Sequence, residues 1–238
     1  MRTSGIREIK IHEKNDSTRE DNFLQPTPRG GNQRRKLEMV LTGGVVRRSS
    51  DLLAAGVRPK TIADALKAGV IARTAHGAYH LAHEAPDPWL AGLASACARM
   101  PRAVVCLTTA AHFEVLVDEP PAVTWLALPL QVHDAKAGDT PHRTLRWSYE
   151  GAFDVGVVDD EVCGVPIRRT GPARTVVDLV RYARHIGGDD IGIEAGRRFT
   201  SAGGDPDEIL ATAKALRTPS AAMHTLEVLV RTLRGPAP

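Results

Sequence analysis

No apolar run in the 238 residues approaches the ~20 needed to cross a bilayer. The first residues are polar and of mixed charge, without the apolar core of a secretory leader. Cysteine is scarce: Cys97, Cys106 and Cys163 are an odd number without C-x-x-C spacing. That speaks against a disulfide framework or a zinc site and predicts a cytoplasmic chain in a reducing compartment. Aromatic residues supply only 4% of the sequence, so a core must rest on Leu, Val, Ile and Ala. G-x-x-x-x-G-K-[ST], G-x-S-x-G and H-E-x-x-H are all missing. The expectation is a non-enzyme without cofactor, metal or catalytic residues.

Positive charge is present, and it is concentrated. The net charge is only +3. Residues 29–82 nevertheless carry ten Lys and Arg against three acidic residues, Glu38, Asp51 and Asp64. Residues 83–238 are net acidic. A small basic segment in an otherwise acidic chain is the distribution of a nucleic-acid-binding module.

Composition and breaks divide the chain into three. Residues 1–32 have few large apolar side chains and no sustained period, and end in QPTPRGGN; they read as a disordered tail or an over-long start. The basic module covers 33–82. After HEAPDP a larger module covers 88–234. In it Trp89–Arg99 and Thr108–Leu116 read as helices. Thr124–Leu128, Thr144–Ser148, Phe153–Val158 and Val165–Arg169 read as strands. TGPARTVVDLVRYAR opens a helical run continued by Asp189–Thr200, Asp205–Leu216 and Ser220–Leu233. Strands followed by helices predict an α+β fold, not a doubly wound sheet.

The basic module reads as a winged helix-turn-helix. Helix one spans Gln33 to about Leu41. Ser49 or Ser50 is expected to cap helix two, anchored by Leu52 and Leu53, and Gly56 supplies the turn. Pro59 starts helix three. At 100° per residue Ile62, Ala65 and Leu66 point to one side, and Lys60, Asp64 and Lys67 to the other, with Thr61 on the flank. An apolar face that docks the helix and a polar face left outward are what major-groove reading requires. Thr61 and Asp64 are candidates for base edges; Arg58, Lys60 and Lys67 suit phosphates. Asp64 equally suits pairing with Lys60 or Lys67 at helical spacing, the reading preferred here. GVIARTAHGAYHLA supplies the wing hairpin, with Arg73 and His76 at or near its tip. One module covers only ~600–1,000 Å², so two copies on an inverted repeat are expected.

The larger module offers little chemistry. HDAK places Asp134 two residues before Lys136, a spacing that a metal-dependent nuclease uses but that is too common to carry the claim. VDDE (Val158–Glu161) reads as a solvated hairpin turn in preference to a cation site. Cys106 and Cys163 read as inert apolar filling. Arg174 and Asp178, one helical turn apart, read as bridging each other.

In order and spacing, GGVVRRSSDLLAAGV, GVIARTAHGAYHL, PRAVVCLTTAAHFEVL, TWLALP, GVPIRRTGPARTVVDLVRYARHIG and DPDEILATAKALR resemble the AbiEi antitoxins of bacterial type IV toxin–antitoxin (abortive infection) systems. The resemblance covers roughly 36–234. It implies a winged helix that binds inverted repeats in double-stranded operator DNA and represses its own operon. It also implies a C-terminal domain that counteracts a co-encoded nucleotidyltransferase-like toxin, without a stable complex being the rule. Carried onto this chain, the DNA role falls on Arg58, Lys60, Thr61, Lys67 and Arg73, with Arg47 and Arg48 as further candidates. The alternative is a winged-helix transcriptional regulator whose larger module senses a ligand or dimerises.

Overall fold

The computed structural model describes residues 29–75, 78–132 and 141–234. Its N-terminal part runs α1 (Arg29–Leu41), β1 (Arg47–Arg48), α2 (Ser49–Ala54), α3 (Pro59–Lys67), β2 (Ile71–Ala75) and β3 (Ala78–Leu81). The strands form an antiparallel sheet in the order β1-β3-β2. Leu37 and Leu41 of α1, Leu52 of α2, Ile62 and Ala65 of α3, and Ile71, Tyr79 and Leu81 of the sheet share one core. Three helices and a small sheet give the winged helix-turn-helix outline that the sequence predicts.

The chain turns where its residues permit. Gly56, at φ +80°, follows α2 in the left-handed region that glycine enters without a Cβ penalty. Pro59 occupies the first turn of α3, where a missing N–H costs nothing. The serine cap expected for α2 does not form, because Ser49 and Ser50 already lie inside the helix. Asp51 accepts the Arg48 N–H instead, at 3.0 Å.

The larger part comprises α4 (Pro88–Arg99), β4 (Val104–Val105), α5 (Leu107–Phe113), β5 (Thr124–Pro129), β6 (His142–Trp147), β7 (Val157–Val162), β8 (Val165–Thr170), α6 (Pro172–Arg181), α7 (Ala183–Ile186), α8 (Asp190–Ser201), α9 (Pro206–Ala215) and α10 (Ser220–Leu233). Its sheet has the order β6-β5-β4-β8-β7, with parallel β5–β6 and β4–β8 pairs and antiparallel β4–β5 and β7–β8 pairs. The mixed sheet with a C-terminal run of helices is the α+β architecture expected. Two local readings are corrected. Glu150–Phe153 is a short 3-10 turn, so the strand begins only at Val157. Asp159, Asp160 and Glu161 lie within β7, and the hairpin turns instead at Cys163 and Gly164, both at positive φ.

The two faces of this sheet have different coverings. Val104, Trp125, Ala127, Leu145 and Trp147 pack with α6, α8, α9 and α10. Their neighbours Val105, Leu126 and Leu128 join Val162, Val165 and Ile167 in a second core with α4. Alternation along each strand sends consecutive side chains to opposite faces. Val46 and Ala78 of the winged helix belong to that second core. Strand β3 is therefore buried on both sides: Tyr79 and Leu81 meet their own helices, and Ala78 meets the α4 side. The break at residues 82–88 is a short connection between parts that share apolar surface. Among the described residues no helix is long and apolar enough to cross a membrane.

Candidate nucleic-acid interface

Helix α3 has one buried and one open face. Ile62 and Ala65 are 7% and 6% exposed. Lys60 and Asp64 form an ion pair at 3.4 Å on the outer face, with side chains 86% and 63% exposed, and Lys67 is exposed as well. Leu66, expected beside Ile62 and Ala65 on the inner face, is 39% exposed, so two of the three expected inward residues are buried. Thr61 is half-buried on the flank. The start of α3 is fixed from outside: Gln33 Oε1 of α1 accepts the backbone N–H of Arg58 at 3.0 Å. The Arg58 side chain is exposed.

The wing stands directly after α3. Val70 donates to the Ala65 carbonyl and Ala82 to the Val70 carbonyl, closing the helix–hairpin junction. Arg73 is exposed on β2, opposite Tyr79 of β3. His76 lies outside the described residues, as do Asp134 and Lys136.

Arg47 and Arg48 are engaged elsewhere. Arg47 Nη1 donates to the Gly164 carbonyl of the β7–β8 turn. Arg48 Nη1 donates to the Ala98 carbonyl of α4 at 2.9 Å and Nη2 pairs with Asp51 at 3.3 Å. Burial alone would push the Asp51 carboxyl up, but the hydrogen bonds and charge of Arg48 hold it below its usual value. These two arginines tie the winged helix to the larger part, and the outward set on α3 and the wing reduces to Arg58, Lys60, Thr61, Asp64, Lys67 and Arg73. Sequence reasoning missed Gln33 and Lys36. The signal was there: at i, i+3 on α1 they share a side next to the buried Leu37.

The charged pairs of the larger part are built into its scaffold. Arg174 is 1% exposed and Asp178 wholly buried, and they pair at 2.9 Å as their spacing predicts. Arg174 Nη1 also donates to the carbonyls of Ala152 at 3.0 Å and Val155 at 2.5 Å, and its guanidinium lies 4.4 Å from the Trp147 ring centroid. Burial pushes the Asp178 carboxyl up while Arg174 pulls it back down. Asp160 accepts from Arg169 at 2.6 Å, and Arg169 also pairs with Glu114. Asp159 and Asp160 of β7 thus pair with Arg168 and Arg169 of β8. Burial pushes the Cys97 thiol up to about 12 and also holds the Cys106 thiol well above its ordinary value. Both thiols stay protonated at neutral pH and serve as apolar filling.

No family model matches the chain, and no curated protein does. Its fold is similar to the crystal structure of the Rv2827c protein from Mycobacterium tuberculosis. The TM-score is 0.58 at 15% identity, over 85% of this chain and 77% of that one. At that identity the likeness concerns the fold.

Proposed function

We propose that the chain binds double-stranded DNA through α3 and the wing hairpin and acts as an AbiEi-type antitoxin that represses its own operon. The carrying observation is the division of α3: Ile62 and Ala65 sealed in the core, Lys60 and Lys67 projecting away from it, and a hairpin immediately after. Cations held outward on a docked helix meet phosphates, and Thr61 at the start of that helix meets a base edge. The antitoxin role rests on the motif order from TWLALP to GPARTVVDLVRY. In this reading residues 88–234 counteract a co-encoded nucleotidyltransferase-like toxin in the cytoplasm without a stable complex. Two experiments test it. Fluorescence anisotropy with the DNA upstream of the reading frame should show salt-dependent binding; titration without any change would refute the DNA role. Co-expression with the neighbouring reading frame should relieve its toxicity; growth arrest that persists would refute the antitoxin role.

One observation favours a second reading, a regulator that senses a small molecule. A cavity of about 540 Å³ opens between the wing and α4, lined by Thr74, His80, Pro86, Trp89, Pro121 and Thr124 among others, with no Lys, Arg, Asp or Glu among the described residues. A neutral ligand there would bear directly on β2 and β3. A thermal-shift screen with uncharged heteroaromatic compounds separates the readings: stabilisation lost in Gly92→Leu supports a sensor, and no response counts against it.

A further inference from the structure

We propose that Gln33, Lys36 and Arg58 together form a site for one backbone phosphate of double-stranded DNA, beside the groove that α3 faces. The site rests on the DNA-binding reading and adds a third element, α1, to an interface otherwise made of α3 and the wing.

Three observations bring α1 and the turn between α2 and α3 together. Gln33 Oε1 accepts the Arg58 N–H at 3.0 Å, so the start of α3 lies against the first half of α1. Lys36 Nζ reaches over the α2–α3 turn, so close that a Cβ on Gly56 would fall 2.6 Å from it. Gly56 keeps that space open and adopts a φ of +80° that only glycine holds without strain. The side chain of Arg58 projects from the same turn into solvent.

The donors and charges suit an anion. With Oε1 committed to Arg58, the amide NH2 of Gln33 is left as a donor. Arg34, Arg48 and Lys60 of the basic module have carboxylate partners in Glu38, Asp51 and Asp64; among the described residues Lys36 and Arg58, like Arg35 and Lys67, do not. Two uncompensated cations flanking the same turn would both be satisfied by a phosphate between them. A lysine, a guanidinium and an amide around one phosphate form a positioning contact: it fixes the register of α3 without reading sequence. Together with the wing, it would give the module a second hold on the backbone.

The test is a salt series of fluorescence anisotropy on a random-sequence duplex, comparing the full chain with Lys36→Met, Arg58→Gln and the double variant. Methionine keeps the aliphatic stem of Lys36 and removes the ammonium. Each single variant is expected to weaken binding several-fold. The double variant is expected to flatten the slope of log affinity against log salt by ~0.9, the value for one phosphate. Lys36→Arg should restore the slope. Arg58→Gln is a surface change and leaves the fold intact whatever Lys36→Met does. A double variant with the unaltered slope overturns this site alone. A wild-type chain without salt-dependent binding overturns the DNA reading and the site with it.

Discussion

Val46 donates its backbone N–H to the carbonyl of Cys163, 2.7 Å away, so the strand that opens the wing sheet is hydrogen-bonded to the β7–β8 turn of the larger part. The contact is direct backbone pairing across 117 residues of sequence. Arg47 reinforces it through the Gly164 carbonyl and Arg48 through Ala98. With Val46 and Ala78 in the α4 core, the winged helix inherits its orientation from the sheet beneath. In a dimer on an inverted repeat, the larger part would therefore set the spacing of the two half-sites.

Gly164 is the place to break this seam. It sits at φ +72°, and a Cβ there would fall 2.7 Å from both Arg47 Nη1 and Val45 Cγ1. Gly164→Val meets left-handed strain and a clash at once, a combination expected to cost ~1–3 kcal/mol. Urea unfolding followed by far-UV circular dichroism should show the loss. A transition that splits in two would mean the winged helix has come free, whereas an unchanged midpoint would show that the seam contributes nothing.

Arg174 and Asp178 carry a larger penalty. Both are buried, so removing one charge strands the other in an apolar surrounding, which typically costs ~3–5 kcal/mol. Arg174→Met should lower the denaturation midpoint by that order. Asp178→Asn should lower it less, because Arg174 keeps the carbonyls of Ala152 and Val155 and the Trp147 ring. Equal losses in the two variants would contradict this division of roles.

Glu84 gives a pH signature. The N–H groups of Gly43 and Gly44 donate to its Oε2 at 2.6 and 3.2 Å, and these bonds hold the carboxyl below its ordinary value of 4.5. A lowered folded-state value means the stabilisation is present above pH 4.5 and is lost as the pH falls through that lower value. Melting temperatures of wild type and Glu84→Gln should differ at neutral pH and converge in acid. A constant gap would show that the carboxylate charge plays no part.

The sequence made the periodic features legible and the non-local ones hard to see. Helical spacing points Ile62, Ala65 and Leu66 inward alike, yet only Ile62 and Ala65 are buried, because which neighbouring positions are covered depends on how α3 docks on its partners. The central strand Val104–Val105 is two residues long and carries no alternation to detect; its pairing with β5 and β8 is a tertiary fact. The acidic run of β7 looked like a turn because acids favour loops, yet Arg168 and Arg169 on β8 stand opposite Asp159 and Val158 and make a strand of it. Arg47 and Arg48 become candidates for DNA through the resemblance. Their acceptors, Gly164 and Ala98, lie 117 and 50 residues away, beyond any local pattern.

Asp64 offers the finest test of the proposed groove face. Its pair with Lys60 is solvent-exposed at 3.4 Å, and such pairs contribute only ~0–1 kcal/mol, so Asp64→Asn should leave the melting temperature nearly unchanged. Its effect on DNA should be larger. The carboxylate repels phosphates and occupies Lys60, and the amide does neither. Asp64→Asn should therefore tighten binding to a random-sequence duplex and steepen the salt slope by ~0.9, as Lys60 becomes free to meet a phosphate. If the carboxylate also accepts from a cytosine N4 in the operator, the same variant loses affinity there while gaining it on random sequence, and the specificity ratio falls from both sides. Anisotropy on the two duplexes at matched salt distinguishes these outcomes. Identical curves for wild type and variant on both would place DNA away from this face of α3.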